Sequence, residues 1–119
     1  MYEFCYSILK FNGVYGLPLF MAKKEVFAWL KAGIKTIDVR QGDARDGDTA
    51  FFQCGINCLE VQIVKRETGK LNEVITQDNY KQVIPTAKNV EDALGYLRKI
   101  YTLDDNGVFT AYYLEQTKK

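Results

Sequence analysis

Two stretches of this chain repeat apolar residues at helical spacing along one face only, and each is followed by a stretch that alternates every second residue. In the first, Ala22, Val26, Trp29, Leu30 and Gly33 recur on one side while Lys24 and Lys31 fall on the other. Gly33 is placed to end that helix in the left-handed conformation that glycine tolerates. In the second, Asn89 stands as an N-cap with Asp92 three residues on. Val90, Ala93, Leu94, Leu97 and Tyr101 form the stripe, and Arg98 and Lys99 sit in the last turn where a cation suits the helix dipole. A helix that is apolar on one stripe must bury that stripe against another layer.

The rest of the chain supplies the layer. Residues 2–11 are aromatic and β-branched with no breaker and read as a strand, closed by the turn signal Asn12-Gly13. Residues 34–40 alternate. Residues 49–54 and 56–65 make two further strands with Gly55 as a bend, 67–70 a hairpin turn, and 71–76 a fifth strand. Residues 77–87 carry buried-looking Tyr80, Val83 and Ile84 but are broken by Pro85, and they receive no assignment. After the second helix, 104–107 form a turn and 108–115 a last strand. The expected order is β-α-β-β-β-β-α-β: an α+β fold with an antiparallel or mixed sheet of five to six strands and both helices packed on one face. All 119 residues are expected in one compact domain.

Charge limits the partners. Sixteen Lys and Arg face fifteen Asp and Glu, and the balance holds in each half of the chain. Nucleic-acid and anionic-membrane binders usually carry a basic excess, so both rank below a protein partner on this criterion. No apolar run approaches the roughly 18 residues of a membrane span, and no secretory leader is visible. The three cysteines, Cys5, Cys54 and Cys58, read as reduced thiols, which points to the cytoplasm.

Chemistry is limited by what is missing. The chain has no histidine, which removes the usual general base near neutral pH and the commonest transition-metal ligand. Cys54 and Cys58 are separated by three residues, unlike the common zinc and redox spacings. The acidic loop 43–48 fails the calcium-loop pattern in either register: from Asp43 the third ligand position is Arg45, and from Asp46 the fifth is Ala50. No glycine-rich phosphate loop is present. No metal and no cofactor are therefore expected, and no catalytic residue is assigned.

What remains is a recognition surface. With Ile37 and Val39 directed to the core, Thr36, Asp38 and Arg40 point away from it, as Glu60 does on a later strand. Together with the polar loop carrying Asp43, Arg45, Asp46 and Asp48, and with Tyr15 in the 12–20 segment, these residues form the candidate binding set. The loop is read as joining two antiparallel strands.

The leading expectation is a non-enzymatic module that contacts another protein, an inhibitor or adaptor of the kind that phages and mobile elements encode. Either edge strand offers a surface for a second copy of the chain. The alternative is a small-molecule or nucleic-acid binding domain, which a patch of Tyr and Arg on the sheet would favour. The third reading is a histidine-free enzyme built on carboxylate, Tyr or Cys, favoured by a buried Asp38, Cys58 or Glu60 beside a perturbed neighbour.

Overall fold

The computed structural model describes residues 19–101 and 107–116. Five strands, β1 (Leu19–Met21), β2 (Ile37–Gln41), β3 (Thr49–Cys54), β4 (Asn57–Gly69) and β5 (Phe109–Gln116), form one sheet in the order β1-β3-β4-β5-β2. β1 runs parallel to β3 and the other pairs are antiparallel, so the sheet is mixed and the fold is α+β as expected. Four helices are present among the described residues: α1 (Lys24–Ala32), α2 (Leu71–Val74), α3 (Tyr80–Val83) and α4 (Val90–Ile100).

The two long helices form where the stripes predict. α1 buries Val26, Trp29 and Leu30, and Gly33 ends it at φ 80°, donating its N–H to Leu30 O. α4 begins with Asn89 Oδ1 accepting the Asp92 N–H at 2.8 Å and buries Ala93, Leu94 and Leu97. The helices meet where the Trp29 and Tyr96 rings lie 5.9 Å apart, and Tyr96 donates its hydroxyl to Glu25.

The stretch after β4 departs from the expectation. Residues 67–70 are not a hairpin turn, because β4 continues to Gly69 paired with β5. Residues 71–76 are not a strand but begin with α2. Gly69 serves a neighbour rather than a turn: a Cβ there would stand 2.8 Å from the Glu73 carboxylate, which accepts the Lys70 N–H at 2.7 Å. α3 then falls in the stretch left unassigned. The expected strand 2–11 and most of the turn 104–107 lie outside the described residues.

The sheet curls, and its two faces are distinct. Directly paired residues share a face. One face therefore carries Asp38 with Tyr112, Arg40 with Thr110, and Arg66 beside Tyr112; the other carries Ile37, Val39, Ala111 and Tyr113. The edge strands β1 and β2 approach each other across the first face, where Arg40 reaches both Met21 O and the Phe20 ring. That face is thus the inside of the curl, filled by Phe20, Phe52 and Tyr112, whose rings pack 5.2–5.4 Å apart. On the outer face, Val83 of α3 and Leu97 of α4 join Ile37 and Val39 in the same apolar core.

The loop of residues 42–48 does not join paired strands. β2 pairs with β5 and β3 with β4, so this loop spans from one edge of the sheet to β3 past the two strands between them. Cys54 is a free, half-buried thiol, whereas Cys58 is disulfide-bonded, which departs from the expectation of reduced thiols. No helix among the described residues is long and apolar enough to cross a membrane.

Candidate functional site

The curl leaves a cleft between the β1 and β2 edges, closed on its helical side by α1 and α4. Met21, Ala22 and Lys23 line it from the β1 end, Asp38, Val39 and Arg40 from β2, and Val26, Tyr96, Leu97 and Tyr101 from the helical side; its volume is about 70 Å³ and it is partly open to solvent. That is room for two or three waters. Charged side chains are gathered at its wall. Asp38 is 3% exposed, and Arg40 holds it through Nε at 2.5 Å and Nη2 at 3.5 Å. Lys35, 4% exposed, lies 3.9 Å from the same carboxylate.

Each charge is satisfied, as burial requires. Lys35 Nζ donates to Ile37 O at 2.8 Å and to Val83 O, which ties β2 to α3. Burial drives the Lys35 pKa down to about 8, against a partial rescue by the Asp38 charge. At Arg40 burial acts the same way, but the charge and hydrogen bond of Asp38 outweigh it and hold the guanidinium more firmly protonated than usual. Arg40 Nη1 donates to Met21 O at 3.0 Å, so one side chain bridges the two sheet edges. Tyr101 donates to Val39 O at 3.2 Å from the helical side.

Beside the cleft two guanidiniums lie over buried aromatic rings. The Arg40 Cζ lies 4.7 Å from the Phe20 ring centroid and the Arg45 Cζ 5.4 Å from it, so the two guanidiniums are within about 10 Å of each other. Phe52 lies beneath, 5.7 Å from Arg40 Cζ. Of these two arginines, Arg40 has a carboxylate partner among the described residues, and Arg45 lies over the Phe20 ring without one there.

The structure redraws the candidate set read from the sequence. Asp38 and Arg40 are not on a solvated face: parity does direct them away from Ile37 and Val39, but the sheet curls over that side and buries the pair. Arg45 joins them through Phe20. Asp43, Asp46 and Asp48 stay exposed in the same loop, and among the described residues none pairs with an Arg or Lys. Glu60 is exposed opposite Phe51, on the other face from Phe52, and β5 separates its strand from β2; it takes no part in the cleft. Tyr15 lies outside the described residues.

Lys35, Phe20, Tyr112 and Arg66 were missed. Lys35 carried a signal, because it falls in step with Ile37 and Val39 in the alternation, a charge at an apolar position. The other three come together only through the strand order. Among the described residues no group of three or more His, Cys, Asp or Glu could hold a metal ion.

No protein-family model matches the chain, and no curated protein matches it. Solved structures do. The crystal structure of the hypothetical protein PH0355 superposes with a TM-score of 0.68 at 20% identity, over 83% of this chain and 97% of that one. The solution structure of PF0455 from Pyrococcus furiosus superposes with a TM-score of 0.61 at 17% identity, over 86% of this chain and 98% of that one. At these identities the likeness concerns the fold.

Proposed function

We propose that this chain is a non-enzymatic binding module whose ligand docks on the surface beside the cleft, over Arg40 and Arg45, and carries negative charge beside a flat group, as a nucleotide or a single-stranded nucleic acid does. The observation that carries this reading is the pair of guanidiniums, Arg40 and Arg45, set against the one ring of Phe20 with Asp38 as the one carboxylate paired with either among the described residues. Guanidinium planes donate paired N–H bonds to phosphate oxygens and stack on bases. A patch of Tyr and Arg on the sheet favours a ligand over a protein partner, and Arg40, Arg45 and Tyr112 about Phe20 support that reading.

A protein partner is the second reading, supported by the mixed charge of the 42–48 loop, where three exposed carboxylates flank Arg45. A histidine-free enzyme draws support from Lys35, buried beside Asp38 with a lowered pKa. Against it, two N–H bonds of that amine are directed at backbone carbonyls and its third faces Asp38, a structural arrangement.

Titration of the purified protein with a labelled short oligouridylate and with mononucleotides, at low and high salt, tests the proposal. Saturable binding that weakens with salt and with Arg45→Ala supports it. No binding to any of them, alongside stoichiometric recovery of one protein from nuclease-treated host lysate, returns the assignment to the protein partner.

A further inference from the structure

The 42–48 loop has to travel from β2 to β3 past two intervening strands, and side chains from both of those strands seize it. Arg66 of β4 donates Nε to Arg45 O at 2.9 Å and Nη2 to Gly47 O. Tyr112 of β5, 1% exposed, accepts the Arg45 N–H on its hydroxyl at 2.9 Å. The same two residues are direct partners in the sheet, and the Arg66 Cζ lies 5.8 Å from the Tyr112 ring centroid. At the loop's start Gly42 donates its N–H to Val108 O at 2.7 Å and accepts Thr110 Oγ1 at 2.8 Å. At its end Asp48 O accepts the Ile63 N–H at 2.7 Å. Loop polar groups are normally left to water. Here both sides of the Arg45 residue, its N–H and its C=O, are held by buried or half-buried side chains.

We infer that Arg66 and Tyr112 are positioning residues: they clamp the backbone of Arg45 so that its guanidinium is already seated on Phe20 before any ligand arrives. The inference rests on the proposed ligand site for its purpose, but the clamp itself is a property of the free protein. A preset side chain does not have to be ordered on binding, and the ordering of one long, flexible side chain costs enough to be seen in affinity. Arg66 acts here through geometry. Its planar fork reaches two carbonyls at once, which a lysine ammonium at the same place does not reproduce.

The test separates clamp from charge and clamp from ligand. Amide hydrogen exchange in the free protein reads the clamp directly. In Arg66→Ala and Arg66→Lys, and in Tyr112→Phe, the Arg45 N–H is expected to exchange at least tenfold faster, while amides in the middle of β5 keep their protection. Affinity for the short oligouridylate then falls about tenfold in Arg66→Lys although its charge is kept. Unchanged exchange at Arg45 in all three variants overturns the clamp, whatever the protein binds. Wild-type affinity in Arg66→Lys with fast exchange at Arg45 overturns the positioning role, since the loop is then loose and the site still works. If the wild-type protein binds no anionic probe, it is the ligand reading that fails, and the exchange result alone decides the clamp.

Discussion

An amine that is only 4% exposed must either give up its proton or surround itself with oxygen, and Lys35 does some of each. Its pKa of about 8 lies below the 10.5 of an exposed lysine, mainly because burial penalises the charge. Between those two values the unfolded chain binds a proton that the folded chain does not, so stability rises with pH across that window. The full difference corresponds to about 3 kcal/mol. The opposite sign applies to the tyrosines. Burial first, and the Glu25 hydrogen bond second, push Tyr96 up to about 12, and Tyr101 and Tyr113 are also raised. Above pH 10 they keep protons that the unfolded chain has lost, and stability turns down. Urea unfolding followed from pH 7 to 11 should therefore show a rise beginning near pH 8 and a fall beyond 10, and Lys35→Met should remove the rise while leaving the fall. Arg45 makes the contrasting case. Its side chain is exposed and has no ion-pair partner among the described residues, so Arg45→Ala should lose only the contact with the Phe20 ring, about 0.5–1 kcal/mol. It should also lower the salt slope of oligonucleotide binding by about one, which titration at several salt concentrations measures.

At the scale of elements, what the sequence revealed was whatever is written locally. Helix stripes and caps are set by residues three or four apart, and both long helices lie where Trp29, Gly33, Asn89 and Leu97 put them. Asn89→Ala should cost about 1 kcal/mol in a denaturant melt, since the N-cap acceptor is lost and nothing replaces it. Gly33→Ala should cost a similar amount, because φ is 80° and no atom lies near the added Cβ: the penalty is in the backbone alone. The misreading around residues 67–76 has an equally local cause. Gly69 looks like a turn residue, but it lies within β4 and leaves room beside it for the Glu73 carboxylate that caps the start of α2. Leu71, Val74 and Ile75 are spaced three and one apart, a single helical turn too short to announce itself by periodicity.

For the molecule as a whole, strand order decided the site, and strand order was not legible. Asp38 and Arg40 were correctly put on the face opposite Ile37 and Val39. Whether that face met water or the interior depended on a curl that brings β1 to β2, between residues with no local relation. Lys35, Phe20, Tyr112 and Arg66 acquired their roles in the same way. The interior of the curl should accordingly behave as core. Phe52 is fully buried and packs on Phe20, so Phe52→Ala should cost about 3–5 kcal/mol in equilibrium unfolding. Against the 5–15 kcal/mol typical of a whole domain this is a large share.

The placement of β5 between β4 and β2 also has a bearing on synthesis. A ribosome delivers β1 to β4 first, and of these only β3 and β4 can form a hairpin as they emerge. Pairs such as Ile37 with Tyr113 must wait for more than half the chain to follow. Until then, among the described strands, β2 has no neighbour and one side of β4 is open, the kind of bare edge on which nascent chains associate. Pairings so distant in sequence also slow folding. The same arrangement that makes β5 the keystone of the finished sheet makes its late arrival the step on which the sheet's closure waits.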